Sequence, residues 1–200
     1  AKALTLLSFR NVINPCNLGK DALAQGNCND IHASFVFTRS KANDRTTMSQ
    51  LPAEIFKAYD IRGIVDKSLT ADVVRQIGHA LGSLAIEQGQ KAIAVGRDGR
   101  LSGPELSGAL MDGICAAGVD AIDVGCVPTP VTYFAAYELG CHSCVSVTGS
   151  HNPPDYNGLK MVVDGTTLSG DDIQALRERI ARTLDDARDD VGVSDEIRLR

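Results

Sequence analysis

The chain has 200 residues, of which 44% are apolar, and a formal net charge of −5 at pH 7. This is enough apolar material for one large or two small folded domains, whereas no apolar run approaches the roughly 20 residues that cross a bilayer. The acidic charge is spread along the chain and lacks the basic patch of nucleic-acid-binding proteins. We therefore expect a folded protein with neither a membrane nor a nucleic-acid partner, located in the cytoplasm.

The first 47 residues differ from the rest in charge and pattern. They carry six Lys or Arg and three Asp or Glu, whereas the remaining residues carry 14 and 22. Their short apolar clusters follow no period, which predicts a poorly ordered leader over residues 1–47. We interpret Met48 as the natural start, with an overextended reading frame before it. A transit peptide or a genuine extension are the alternatives. The folded domain is then expected over residues 48–200.

After Met48, strand-like and helical patterns alternate. The predicted elements, in chain order, are an extended segment at Ala58–Val65, a helix capped by Thr70 and ended by Gly89, a strand at Ile93–Val95, a helix from Ser102 to the Gly118 stop, a strand at Ala121–Val124, a helix from Thr129 to Leu139, a strand at Cys144–Val147, a strand at Leu159–Val163 and a helix at Leu168–Ala187. This alternation predicts an α/β sandwich with a largely parallel sheet. Ligands of such sheets bind beyond the carboxyl ends of the strands.

Cap signals define two of these helices most clearly. Thr70 precedes a stripe of apolar residues with a 3.6-residue period, which predicts that its side chain caps the helix. Ser102-Gly103-Pro104-Glu105 has the form of a capping box with proline in the first turn. For the last helix, Ser169 is the expected cap.

The six cysteines are expected to be reduced, because four of them fall within the strands, helices and turns of a cytosolic-type fold. Cys141-His142-Ser143-Cys144 has the spacing of a redox or zinc motif. Structural zinc requires four ligands, however, and no second pair lies at a fitting distance. We therefore interpret Cys141 and Cys144 as small buried residues.

One hydroxyl residue stands in a polar loop directly after the apolar strand at Cys144–Val147. The loop reads Thr148-Gly149-Ser150-His151-Asn152-Pro153-Pro154-Asp155-Tyr156-Asn157-Gly158-Leu159-Lys160. Its two adjacent prolines fix φ, and its Gly and Asn residues favour turns. A rigid loop can hold a reactive group in near-attack geometry, although ordinary connecting loops have a similar composition. Ser150 is the candidate catalytic residue.

The order of residues in this loop resembles the active-site loop of the α-D-phosphohexomutases, most closely their bacterial phosphomannomutase/phosphoglucomutase branch. Three upstream motifs follow in the family's order: Ala58-Tyr59-Asp60-Ile61-Arg62-Gly63, Val95-Gly96-Arg97-Asp98-Gly99-Arg100-Leu101-Ser102-Gly103, and Gly125-Cys126-Val127-Pro128-Thr129-Pro130. The resemblance covers about residues 51–185. It implies a three-layer sandwich with a mostly parallel mixed sheet, the first of four domains, with the later domains absent from this chain.

The resemblance also implies a function. In that family the loop serine, here Ser150, carries a phosphoryl group, gives it to a hexose monophosphate and recovers another from the bisphosphate intermediate. Hexose 1-phosphates and 6-phosphates of mannose and glucose are the implied substrates. Glucose 1,6-bisphosphate is the implied activator and intermediate. This chain alone is expected to be inactive, because sugar recognition belongs to the missing domains.

Further roles follow from the resemblance. Tyr59, Arg62 and Lys160 are implied to approach the phosphoserine and the sugar. Arg62 and Lys160 would supply positive charge, and Lys160 could also move a proton. His151 and Asn152 follow the serine directly and are expected to orient the phosphate or the loop. A general-base role for His151 is the alternative.

For Arg97 the sequence leaves two roles open, and for the metal it supplies only part of the expected site. Arg97, with Asp98 and Arg100, could contact phosphate or form a structural salt-bridge cluster. Mg²⁺ is implied between the phosphate on Ser150 and an Asp-Gly-Asp-type loop of the next domain, which Asp164-Gly165-Thr166 does not match.

Three other functions are alternatives to a mannose/glucose mutase. A phosphoglucosamine mutase differs in a sugar-binding loop that this chain lacks. A non-catalytic phosphate-binding α/β domain would retain the same fold. A serine hydrolase is disfavoured, because the loop lacks the second glycine of a Gly-x-Ser-x-Gly elbow.

Overall fold

The structure is a computed structural model that describes residues 51–196, with side chains described through Leu184. The predicted leader at residues 1–47 lies outside this range. Among the described residues, no helix is both long enough and apolar enough to span a membrane.

The described chain alternates strands and helices, as the sequence predicts. The strands are β1 (Ile61–Ile64), β2 (Ala92–Arg97), β3 (Asp120–Cys126), β4 (Cys144–Val147), β5 (Tyr156–Val163) and β6 (Thr166–Thr167). The helices are α1 (Ala71–Glu87), α2 (Gly103–Ala116), α3 (Thr129–Glu138) and α4 (Asp171–Glu196), and a short 3₁₀ helix at Ala53–Ile55 precedes β1.

The strands form one mixed sheet in the order β1-β5-β4-β2-β3, with β6 paired to β5. Strand β2 pairs in parallel with both β3 and β4, whereas β5 runs antiparallel to β4, β1 and β6. All the described strands except β5 therefore point the same way. This confirms the mostly parallel mixed sheet and brings the carboxyl ends of β2 and β4 side by side.

Alternating side chains of the sheet pack into two apolar layers. Ile93 and Val95 of β2 belong to a large core shared with α1, α2 and α4, whereas Ala94 packs into a smaller core with Ala136 of α3. Because successive strand residues point to opposite faces, a sheet with helices on both sides must be apolar on both. The result is the expected three-layer sandwich.

The predicted helix starts were partly right. Thr70 caps α1, since its hydroxyl accepts a hydrogen bond from the Val73 N–H at 3.3 Å. The capping box at Ser102 is not formed. The Ser102 side chain makes no cap hydrogen bond and instead accepts one from the Asn157 amide at 2.9 Å. A long-range hydrogen bond of the Ser102 hydroxyl thus replaces the helix cap that the local pattern predicts.

Several element boundaries also differ from the prediction, among them those of β5 and α4. Strand β5 begins at Tyr156, three residues before the expected Leu159, because its first residues pair with β1. Helix α4 begins at Asp171 rather than Leu168. Ser169 lies two residues before the helix, and its backbone N–H donates to the Asp172 carboxylate at 3.4 Å.

The cysteine predictions have a mixed outcome. Cys126, Cys141 and Cys144 are free, as expected, and Cys141 and Cys144 are buried. Burial raises the pKa of the Cys144 thiol to about 12, which disfavours the thiolate that redox chemistry uses. At Cys115, which is disulfide-bonded, the prediction of a reduced thiol is wrong.

Helices α1 and α2 approach closely through glycine, which yields a stability prediction. A Cβ atom at Gly113 of α2 would overlap the Arg75 carbonyl oxygen of α1 and lie 2.8 Å from the His79 nitrogen. Gly113→Ala is therefore expected to lower the free energy of unfolding by about 2 kcal/mol, the scale of overpacking. Urea denaturation of the 200-residue chain measures this change.

Gly108 of the same helix is the matched control. A Cβ atom there would have no neighbour within 4 Å. Gly108→Ala is expected to stabilise the protein by about 0.5–1 kcal/mol, because alanine loses less backbone entropy than glycine in a helix. Equal effects of the two substitutions would contradict the close helix packing described here.

Candidate active site

The Ser150 loop begins where two parallel strands end together. Arg97 of β2 is in register with Val147 of β4, and the Asp98 N–H donates to the Val147 carbonyl at 2.9 Å. The turn after β2 and the loop after β4 therefore leave the sheet at the same edge. This is the edge at which ligands of open α/β sheets bind.

The Asp98 carboxylate fixes the start of the loop. One of its oxygens accepts hydrogen bonds from the Thr148 hydroxyl at 2.9 Å and from the Gly149 N–H at 3.0 Å. The other accepts from the Arg100 N–H at 3.0 Å. The Thr148 hydroxyl in turn accepts from the Ser150 N–H at 3.0 Å. A chain of hydrogen bonds thus runs from Asp98 to the backbone of Ser150.

The Arg100 guanidinium holds the rest of the loop through four backbone carbonyls. It donates to the oxygens of Ser150 (3.2 Å), Asn152 (2.7 Å), Pro153 (2.6 Å) and Tyr156 (2.9 Å). Only 16% of this side chain is exposed, and its Nε lies 3.7 Å from the Asp98 carboxylate. The loop therefore wraps around one cation, whose planar fork matches several acceptors at once.

We expect Arg100→Ala to lower the free energy of unfolding by about 3 kcal/mol, because it leaves four carbonyls and the Asp98 carboxylate without their charged donor. Thermal or urea unfolding of the 200-residue chain tests this. Arg100→Lys should recover only part of the loss, since an ammonium is a point charge with three donors.

Arg75→Ala is the control for Arg100→Ala. Arg75 pairs with Asp72 on the exposed face of α1, three residues away, and such pairs contribute about 0.5 kcal/mol or less. If Arg100→Ala were as mild as Arg75→Ala, the loop would not depend on the guanidinium.

Ser150 itself is exposed at the turn of this loop. Its φ of +50° lies in the left-handed region, which few non-glycine residues adopt. Its hydroxyl lies 3.3 Å from Nδ1 of His151. The neighbouring backbone is held further by Asn152, whose side-chain amide donates to the Gly149 carbonyl at 2.8 Å. A strained backbone conformation held by several hydrogen bonds is typical of functional sites.

Two cations share one buried carboxylate beside the loop. The Asp60 carboxylate, of which 10% is exposed, lies 2.6 Å from a guanidinium nitrogen of Arg62 and 3.8 Å from Nζ of Lys160. Arg62 also donates to the Asn152 side-chain oxygen at 3.3 Å. Asp60 offsets one of the two positive charges, so the group retains one net positive charge, and it contacts the loop at Asn152.

Strand pairing explains this ion cluster. Ile61 pairs with Leu159 and Arg62 with Gly158 in antiparallel register, so the next position sets Asp60 opposite Lys160. Asp60 and Arg62 are two residues apart and therefore face the same side of an extended chain.

The two remaining residues that the sequence predicts at the site are Tyr59 and Arg97. Tyr59 is 78% exposed. Arg97 donates to the Asp123 carboxylate of β3 at 3.1 Å, and Asp123 also accepts from the Gly125 N–H. The contacts of Arg97 are thus those of a structural salt bridge within the sheet, and they do not reach Ser150.

Sequence reasoning did not assign the loop-holding roles of Asp98 and Arg100 or the bridging role of Asp60. Asp98 and Arg100 could have been found from their position directly after β2, because the Ser150 loop leaves β4 at the same edge of the sheet. For Asp60 the signal was the i, i+2 spacing to Arg62.

A cleft of about 750 Å³ opens beside the serine. It is lined by residues of three segments: Val65 and Asp66, Asp98 to Ser102 with Glu105, and Ser150, Asn152 and Pro154. Among residues 51–184 there is no group of three or more His, Cys, Asp or Glu arranged to hold a metal ion.

These features define a class of protein: an α/β/α domain that presents one serine hydroxyl on a rigid loop beside a pair of cations. Residues 53–186 match the family model described as phosphoglucomutase/phosphomannomutase, α/β/α domain I. The chain belongs to this family.

Similar proteins support the same assignment. A phosphomannomutase/phosphoglucomutase of Pseudomonas aeruginosa is 58% identical over 132 residues, which are 66% of this chain and 28% of that protein. A phosphoglucomutase of Neisseria meningitidis is 53% identical over 129 residues, 64% of this chain and 28% of its own length. The crystal structure of a phosphoglucomutase/phosphomannomutase family protein from Burkholderia thailandensis aligns with a TM-score of 0.62 and 59% identity, over 65% of this chain and 30% of the other. The chain thus spans little more than a quarter of the length of these relatives.

Proposed function

We propose that this chain carries the phosphoserine domain of a hexose-phosphate mutase, and that Ser150 is the residue that holds the phosphoryl group. The observation that carries the proposal is exposed Ser150, whose backbone is held through Thr148 and by Arg100. Its loop contacts Arg62 at Asn152, and Arg62 shares the Asp60 carboxylate with Lys160. Relatives named phosphomannomutase/phosphoglucomutase support the same chemistry. We propose that residues 48–200 form the folded domain that carries this loop.

The proposed reaction is an in-line transfer. The bond between phosphorus and Ser150 Oγ breaks, while a bond forms from phosphorus to a hydroxyl oxygen of a hexose monophosphate. The proton of that hydroxyl leaves, and Ser150 Oγ takes up a proton. The hexose bisphosphate then turns around and returns its other phosphoryl group to Ser150. Such transfers depend mostly on positioning and on stabilisation of charge on the equatorial oxygens.

The described residues can divide this work. Arg62 has a planar fork suited to phosphoryl oxygens, and Lys160 offers a point charge and a proton-carrying group. Asp60 positions both, since its carboxylate contacts each of them. His151, with Nδ1 3.3 Å from the Ser150 hydroxyl, can orient that hydroxyl or hydrogen-bond to its phosphate. Asn152 links the loop to Arg62.

Other parts of the proposal rest on the family resemblance alone. These are the mannose and glucose phosphates as substrates, glucose 1,6-bisphosphate as activator, Mg²⁺ bound through the phosphate on Ser150, contacts of Tyr59 and Arg97 with substrate, and a cytoplasmic location. When bound, Mg²⁺ would neutralise charge on the phosphoryl oxygens. The other ligands of the metal and the sugar-binding groups would come from further domains.

Mapping of phosphate tests the proposal directly. A multi-domain protein that contains this domain is incubated with glucose 1,6-bisphosphate and Mg²⁺, digested and analysed by mass spectrometry. The phosphate is expected on the peptide at Ser150. Ser143 and Ser146, which are buried and hydrogen-bonded within the fold, are internal controls. Phosphate on either of them would refute the assignment, and no phosphate anywhere would favour a non-catalytic phosphate-binding domain.

A further inference from the structure

A second cleft shares Arg62 with the active site. It encloses about 460 Å³, within the range of small-molecule sites. Its polar lining consists of Glu54, Lys57, Arg62, Lys67, Ser68 and Tyr156. The residues before and after β1 contribute most of this lining, whereas the Ser150 loop contributes only Tyr156. The cleft is thus separate from the one that Ser150 lines, and Arg62 is the one residue of its lining that has a role in the proposed mutase reaction.

The charge of this cleft is opposite to that of the domain around it. Three cations, Lys57, Arg62 and Lys67, face one carboxylate, Glu54, whereas the chain after residue 47 carries 14 Lys or Arg and 22 Asp or Glu. Among the described residues, neither lysine lies within ion-pair distance of a carboxylate. The charged lining residues sum to about +2, but Asp60 already pairs with Arg62. The two lysines against Glu54 then leave about +1, and neither ammonium has a carboxylate partner among the described residues.

The backbone holds the two lysines on fixed turns at either end of β1. The Lys57 N–H donates to the Asp60 carbonyl at 3.0 Å, and the Lys67 N–H donates to the Ile64 carbonyl at 3.2 Å. The Ser68 hydroxyl accepts from the Ile64 N–H at 3.0 Å and closes the second turn. Although the lysine side chains are exposed, their attachment points are therefore set by local hydrogen bonds.

Arg62 connects this cleft to the catalytic loop. Its hydrogen bonds among the described residues go to Asp60 and to the Asn152 side chain, whereas a guanidinium has five N–H donors. Donors therefore remain for an anion in the cleft. An anion bound there would contact the same guanidinium that steadies Asn152.

We propose that this cleft binds a phosphate monoester, at a site distinct from Ser150. A phosphate monoester is opposite in charge to the lining, and a guanidinium fork with two ammonium groups is a common donor set for phosphate oxygens. Through Arg62, occupancy of the cleft is coupled to the geometry of the catalytic loop.

Nuclear magnetic resonance of the ¹⁵N-labelled 200-residue chain tests the proposal. Inorganic phosphate and glucose 6-phosphate are titrated separately at constant ionic strength, because screening by salt would otherwise change all surface charges. We expect saturating shifts of the backbone amides of Lys57, Gly63 and Lys67. Equal affinity for both probes would mean that the cleft recognises the phosphate group alone. Tighter binding of glucose 6-phosphate would mean that the cleft also contacts the sugar.

Matched variants separate this site from the serine loop. The double substitution Lys57→Ala/Lys67→Ala should weaken binding at least tenfold. Lys91→Ala, which removes an exposed lysine outside the cleft, should leave it unchanged, as should Ser150→Ala. The proposal is wrong if shifts do not saturate, if the double variant binds as well as wild type, or if the shifts are confined to residues 148–152. None of these outcomes bears on phosphate labelling at Ser150.

Discussion

Replacing Ser150 with alanine is expected to abolish phosphate labelling and to lower mutase turnover at least about 10⁴-fold in a multi-domain protein that carries this domain. The hydroxyl oxygen is the atom that forms the bond to phosphorus in the proposed reaction, and no neighbouring group can replace it. His151 is adjacent, but its ring nitrogen lies 3.3 Å from that hydroxyl and would have to move to the position of the oxygen to take over. Steady-state assay with glucose 1-phosphate and mass spectrometry measure the two effects.

Ser150→Gly sharpens this prediction, because it separates chemistry from stability. At a φ of +50° a residue with a Cβ atom is strained by about 1 kcal/mol or more relative to glycine. The glycine variant should therefore be more stable than wild type, and its turnover should be as low as that of Ser150→Ala. Ser169→Ala, in the turn before α4, is the control and should retain full turnover. Undiminished turnover of Ser150→Ala, or labelling of that variant elsewhere, would show that another residue carries the phosphoryl group.

The second large effect is expected at the cations beside the serine. In the same multi-domain protein, Arg62→Ala and Lys160→Ala should each reduce turnover by about 10²-fold or more, the scale of losing one preorganised electrostatic contact. The loss should fall mainly on kcat, since the charge on the phosphoryl oxygens changes during transfer. Steady-state kinetics over a range of glucose 1-phosphate concentrations separates kcat from KM.

Asp60 and Arg97 provide the comparisons for these two cations. Asp60→Asn should also lower kcat, because the amide keeps the size of the carboxylate and loses the charge that holds Arg62 and Lys160 together. Arg97→Ala would act through the structural salt bridge with Asp123, so we expect a loss of stability to accompany any loss of turnover. Wild-type turnover in both Arg62→Ala and Lys160→Ala would remove these residues from the mechanism.

The network around the loop suggests why one serine can be held in a strained conformation. Asp98 and Arg100 form a short unit that binds the loop from both ends, through Thr148 and Gly149 at the start and through Pro153 and Tyr156 at the finish. Of residues 150–155, all but Asn152 are exposed. Its order therefore comes from charged hydrogen bonds, which are stronger than neutral ones.

Sequence alone determined the architecture because its signals are local. The 3.6-residue stripe after Thr70, the apolar runs of β2, β3 and β4, and the turn residues between them depend only on neighbouring positions. The same holds for the loop at Ser150, where strand, glycine and two prolines follow in order. These features predicted the alternating elements and the candidate serine.

Only the tertiary structure decided which polar side chains meet. Arg97 ends β2 and Arg100 follows three residues later, yet Arg97 pairs with Asp123 while Arg100 binds the loop carbonyls. Ser102 has the pattern of a cap, yet Asn157, 55 residues away, takes its hydroxyl. A buried polar group bonds to whichever partner the fold brings within reach, because leaving it unpaired costs about 1–3 kcal/mol. That choice depends on strand register and packing across the whole domain, which no local pattern encodes.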